Sequence, residues 1–190
     1  MLTHPLARLL IAAAIIVPAI FVPIPFPFKV PLFAALALVV AWLQTGGLAC
    51  VGLKLPRRLV PTLLWALGGT VLVIVGIGKI ASPLIEWLAG IEPDYSSYGA
   101  LEGNLEAALT LLGYAMFSAA IAEEIVYRGF LLDQLSAIFG NSTAARTAAV
   151  VLGGIVFALP HAPQGLVGMT TVALTGMIFG AIFFRSGRNL

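Results

Sequence analysis

Apolar residues run along this chain in six long stretches, cut by proline, glycine and isolated charges. The stretches are Leu6–Val22, Val30–Leu53, Leu59–Ile80, Leu105–Tyr127 with a polar-edged extension to Phe139, Thr143–Leu159 and Leu166–Phe184. Most approach the ~20 residues that a helix needs to cross a bilayer. The pattern predicts an all-α fold: a polytopic transmembrane helix bundle with about six spans. The first stretch is short enough for a signal peptide. Its flank "VPAIFVPIPFPF" lacks a small-x-small cleavage site, so an uncleaved anchor is the expectation. That proline-rich flank should form a tight extended turn into the second helix. No internal repeat and no second domain is visible, so residues 1–190 read as one transmembrane domain.

Composition strengthens this reading. Of the 190 residues 61% are hydrophobic and 9% charged, and mean hydropathy is +1.07. Soluble domains carry about a quarter charged residues, so there is too little polar surface here to solvate a globule. Cys50 is the only cysteine, which excludes a disulfide framework and reads best as a small apolar residue in a membrane helix. The pI near 8.9 does not point to nucleic acid, because the basic residues form no run beyond "KLPRR".

The charges instead sort by loop. With a cytoplasmic N-terminus, Arg8, Lys54, Arg57, Arg58, Arg146, Arg185 and Arg188 lie inside and only Lys29 and Lys79 outside. The loop 81–104, with Glu86, Glu92, Asp94 and Glu102, then faces outward. Asn141-Ser142-Thr143 matches a glycosylation acceptor, but on the inner side it is better read as the cap of the fifth helix. The expected location is a multi-pass integral membrane protein of a bacterial or archaeal cell membrane, with membrane lipid as its surroundings.

Three charges break the rule that membrane interiors are apolar. "AAIAEEIVYRGF" places Glu123, Glu124 and Arg128 within one apolar stretch. An acidic residue at a helix centre costs about 2.5–3.5 kcal/mol to insert. Glu124 and Arg128, spaced i, i+4 in the favourable order, account for two of the three as an ion pair. Glu123 lies about 100° round an α-helix from Glu124 and has no local cation. An unrelieved carboxylate at that depth reads as function.

A partner at the same depth is available. Of the two histidines, His4 sits in the N-terminal tail as a bystander, and His161 closes "FALPHAP". With the turn at Asn141, Glu123 and Glu124 lie 18 and 17 residues back, and Phe157 and His161 lie 16 and 20 forward. Antiparallel helices would hold these groups within about one turn of the same height. Pro160 removes the donor that would pair with the Val156 carbonyl, and Pro163 prevents clean resumption of the helix. Irregular backbone at this depth suits the wall of a water-filled cavity. Ser118, Ala119, Ala120 and Ala122 would let a neighbouring helix approach closely, and Gly176 and Gly180 form a GxxxG pair suited to helix packing. Phe157 and Tyr127 are the candidate substrate-pocket residues, Phe157 lying one turn before His161.

Two glutamates, an arginine and a histidine at a wet intramembrane site are the parts for activating water. A carboxylate can take the proton while imidazole polarises a carbonyl or protonates a leaving amine. Arg128 can hold one glutamate ionised while the other moves the proton. The same groups would also serve a proton-coupled transporter.

At these residues the sequence resembles the CAAX protease and bacteriocin-processing (CPBP, or Abi) family of intramembrane glutamic endopeptidases. "EEIVYRG" matches its EExxxR motif at Glu123, Glu124 and Arg128, and "FALPH" its FxxxH motif at Phe157 and His161. "GMIFGAIFFRSGRNL" looks like the helix and loop before its last motif, so the motif-bearing core is about 106–190. The resemblance implies an all-α membrane bundle of about eight helices, in which Glu123 activates water with His161 and Glu124 and Arg128 order the site. It implies a peptide or protein substrate, such as the lipidated CAAX proteins that eukaryotic members cleave; bacterial relatives are linked to peptide maturation and bacteriocin immunity. The family's second histidine, followed four residues later by Asn or Asp, has no counterpart before Leu190. The expectation is a truncated chain; the alternative is an impaired scaffold or immunity-type protein of the same fold. Glu123, Glu124 and His161 could also contribute to a site for a divalent metal such as zinc, but sequence supplies no distances and no cofactor is assigned.

Overall fold

The structure, a computed structural model, describes residues 2–56 and 58–190. Arg57, which the sequence assigns to the inner side, lies outside the described residues. Six helices follow one another: α1 Pro5–Phe21, α2 Lys29–Thr45, α3 Leu59–Ala89, α4 Leu105–Phe139, α5 Thr143–Ala158 and α6 Gly165–Arg185. Among the described residues there is no strand.

The expected six spans are not what forms. Three continuous helical segments are long and apolar enough to cross a membrane: α3, α4 and the run Thr143–Arg185 that contains α5 and α6. Helices α1 and α2 are apolar but have 17 residues each, about 25 Å of helix against a hydrocarbon core of about 30 Å. The break foreseen between the last two stretches is a single 3₁₀ turn, Leu159–Gln164. There the amide of Leu159 donates to the Val156 carbonyl, supplying the bond that Pro160 cannot make. The third stretch also overruns its predicted end at Ile80, reaching Ala89. Lys79 and Glu86 were read as punctuation, but a long helix carries polar residues readily once it nears the membrane surface, and Ser82 there donates to Glu86 at 2.9 Å.

Local chemistry explains the helix ends. His4 accepts a hydrogen bond from the Leu6 amide at 3.3 Å and Pro5 fills the first turn of α1. Ser142 caps α5 by accepting from Ala145 at 3.1 Å, as the sequence suggested. In the loop before α4, the Ser96 hydroxyl and then its amide, 2.9 Å from the carboxylate, hold the pKa of Asp94 below the usual carboxylate value.

Helix α4 is the hub. Its residues 118–131 are wound with wide i→i+5 turns, a rare geometry associated with functional sites. Helix α2 packs on this stretch through Phe33, Ala34, Ala37 and Ala41, all buried. Ser118 and Ala122 are buried in the same core, whereas Ala119 and Ala120 border an open cleft. Helices α5 and α6 fold back on each other around the 3₁₀ turn. A β-carbon on Gly176 would meet the Cα of Gly154 and the Phe157 ring, each at 3.0 Å. The GxxxG stretch is therefore a packing surface, as expected.

The two chain ends are fastened to α4 by charge. Asp133, buried, accepts from Arg8 of α1 at 3.3 Å and from Arg188 at 3.1 Å. Gln134, fully buried, lies beside them and donates to Gln44 of α2 at 2.9 Å. Lys54 donates to the Gly187 carbonyl at 2.8 Å, and Arg146 faces the Phe184 ring at 5.9 Å. Arg8, Lys54, Arg146 and Arg188 therefore share one end of the bundle, the grouping that the loop charges predicted.

Candidate functional site

The wide winding of α4 changes what its charged residues can reach. In an α-helix Glu123 and Glu124 diverge by about 100°; here turns closed by i→i+5 bonds bring positions four and five apart to one side. Glu123, Glu124 and Arg128 all border one cleft of about 600 Å³ between α3, α4, α5 and α6. Glu123 nevertheless has no ion-pair partner within 4 Å among the described residues, while Glu124 lies 3.3 Å from the Arg128 guanidinium.

Arg128 is held from two further sides. Its guanidinium carbon sits 3.9 Å from the centroid of the Phe157 ring and 5.5 Å from that of Phe179. Its side chain is 3% exposed, and neither terminal nitrogen has a well-aligned hydrogen-bond acceptor, the contact with Glu124 being an ion pair by distance alone. A buried guanidinium with uncommitted donors is unusual for a purely structural residue.

Phe157 organises the facing wall. Its ring packs edge-on against Tyr127, centroids 5.1 Å apart, and lies 5.4 Å from the His161 ring. Its carbonyl is 3.2 Å from Nδ1 of His161. A carbonyl can only accept, so that nitrogen carries the proton, and in the neutral ring Nε2 is then the acceptor. Phe157 thus stands opposite Tyr127 and Arg128, one turn from Glu124 and within the height match that the residue count gave.

Glu123 and His161 line a second, smaller cavity of about 120 Å³. Tyr127 and Ser118 border it from α4, Pro160 from the 3₁₀ turn, and the proline-rich α1–α2 turn closes it. Glu123 is common to both spaces. Lys29 also lines the small cavity, with its ammonium donating to the Ile20 carbonyl at 3.0 Å. Sequence reasoning missed Lys29, counting it only as an outer-side charge; the adjoining "PIPFPFK" was the available signal.

His4, capping α1, takes no part in this arrangement. Among the described residues no three His, Cys, Asp or Glu side chains are gathered as ligands. Glu124 already faces a guanidinium, whose charge opposes a cation at the same place.

The family called Rce1-like, described as type II CAAX prenyl endopeptidase Rce1-like, matches residues 105–190. The matched segment is 86 of the 190 residues, just under half of the chain. It begins with α4 and carries every candidate residue above except Lys29 and His4. The resemblance of "EEIVYRG" and "FALPH" to the CAAX protease and bacteriocin-processing family holds over this segment. The family match and the three membrane-length apolar segments support an integral membrane protein. No curated protein and no solved structure matches the chain.

Proposed function

We propose that the protein is an intramembrane endopeptidase that hydrolyses peptide bonds of membrane-associated, lipidated substrates with water activated by Glu123 and His161. One observation carries this reading: Glu123 stands where a small cavity shared with His161 meets a large, mainly apolar cleft. The small cavity suits water, and the cleft suits an apolar substrate.

The chemistry follows from the groups in place. Glu123 takes a proton from water held between its carboxylate and Nε2 of His161. The water oxygen bonds to the scissile carbonyl carbon, and the carbonyl electron pair moves onto its oxygen. The positive charge of Arg128, buried behind the cleft wall, stabilises that oxyanion through space. Collapse re-forms the carbonyl and breaks the C–N bond, and the proton held by Glu123 passes to the departing amine. Glu124 keeps Arg128 charged and in position without entering the proton path.

The test is cleavage by the purified chain, reconstituted in liposomes, of a peptide bearing an isoprenylated cysteine near its C-terminus. Hydrolysis in H₂¹⁸O should place one labelled oxygen in the new carboxyl. Binding of the peptide without any cleavage would replace this reading with a scaffold, and substrate-driven proton movement across the liposome would replace it with a carrier.

A further inference from the structure

A third cavity lies at the far end of the bundle from His161, in the end that carries Arg8, Arg146 and Arg188. It has a volume of about 440 Å³ and sits between the start of α3 and the end of α6. Lys54, Arg58 and Arg185 line it, with no acidic residue in its wall. None of these three forms a salt bridge among the described residues, because the nearby carboxylate, Asp133, is taken by Arg8 and Arg188. Three uncompensated cations around one cavity repel each other, an arrangement that an anion relieves.

The rest of the wall fits a phosphate carried on an apolar body. Thr62 and Ser186 line it with their hydroxyls donating to the Arg58 and Phe183 carbonyls, which leaves the three cations as the groups that face an anion. The cavity includes the first turn of α3, which Arg58 precedes without making any side-chain capping bond. Pro61 has no amide hydrogen and the Thr62 amide donates to the Arg58 carbonyl, so this end adds only the positive pole of a 31-residue helix. Trp65 lines the inner side, and immediately beyond it the exposed leucines 63, 64 and 67 of α3 present a surface for acyl chains. Tryptophan beside basic residues is the pattern of the membrane–water interface.

We infer that this cavity is a binding site for the phosphate headgroup of an anionic phospholipid, held by Lys54, Arg58 and Arg185 and seated on the first turn of α3. The apolar flank distinguishes a lipid from free phosphate, which has no use for Trp65 or the leucines. Each cation removed is expected to weaken binding about fivefold at low salt, and raising the ionic strength should weaken it further.

The experiment is a lipid titration of the purified full chain in a neutral detergent, read by native mass spectrometry. Phosphatidylglycerol should bind at least about tenfold more tightly than phosphatidylcholine. Replacing Lys54, Arg58 and Arg185 together by glutamine should abolish the preference. The charge-preserving set Lys54→Arg, Arg58→Lys and Arg185→Lys should retain it, which separates lost charge from lost folding. Arg146→Gln, at the same end but outside the cavity, should also retain it. Equal affinity for the two lipids, or equal loss in Arg146→Gln and Arg58→Gln, would overturn the site in favour of diffuse surface charge. Inorganic phosphate competing at the lipid's own concentration would overturn the lipid assignment.

Discussion

The Arg128 guanidinium carbon lies 3.9 Å from the centroid of the Phe157 ring, while Glu124 approaches it at 3.3 Å from its own helix. One residue thereby joins the two motif-bearing helices. A desolvated cation–π contact is worth about 2 kcal/mol or more. Arg128→Ala should therefore lower stability by at least that amount and activity with it, since it also strands Glu124. Arg128→Lys should recover part of the stability, keeping the charge but losing the planar stack. Thermal midpoints in one detergent decide this; an unchanged midpoint for Arg128→Ala would mean that the stack contributes nothing.

The clasp at Asp133 makes a second test. Asp133→Asn removes the anion shared by Arg8 and Arg188 and should cost about 3 kcal/mol, because breaking a buried pair leaves unpaired charge. In the Arg8→Met background the same change should cost distinctly less, the two sites being coupled. Simple additivity of the two variants in denaturant unfolding would show that the clasp is not a unit.

Close approach of backbones supplies a third. A β-carbon on Gly129 would lie 2.5 Å from the Val51 carbonyl oxygen and 3.1 Å from its Cβ. Gly129→Ala should force that turn away from α4 and lower stability by about 1–3 kcal/mol. Gly113→Ala, with open space around its β-position, is the control and should be neutral or mildly stabilising. Equal behaviour of the two variants would contradict the packing described.

Much of the site was legible in the sequence because charges in an apolar chain cannot hide. Glu123, Glu124 and Arg128 stood out by cost alone, and Pro160 and Pro163 marked the turn that carries His161. The helix cap at Ser142 and the GxxxG packing of Gly176 followed from local chemistry. Three features did not. Wide turns in 118–131 leave no periodicity signal in so uniformly apolar a stretch, so this winding was not legible. Charge punctuation ended the third helix at Ile80, although Lys79 and Glu86 sit within it. The roles of Asp133 and Gln134 depend on partners more than 50 residues away, Arg8, Gln44 and Arg188, which no local spacing reveals.

Orientation can be checked directly. The common end occupied by Arg8, Lys54, Arg146 and Arg188 should be cytoplasmic. Reporter fusions after Arg58 and after Arg188 should read inside, and one at Tyr95, beyond α3, should read outside. A cytoplasmic signal at Tyr95 would contradict both the charge bias and a membrane-spanning α3.

The central claim is that Glu123 is the group that takes the proton from water. Glu123→Gln keeps the side chain's size and place between the two cavities but cannot accept that proton, and losing a charge should if anything ease insertion. The deciding measurement is the rate of peptide-bond hydrolysis by purified wild type and Glu123→Gln, at matched reconstitution and with thermal midpoints recorded on the same samples. The account predicts a loss of at least about 100-fold with an unchanged or higher midpoint. Cleavage by Glu123→Gln at the wild-type rate would contradict it.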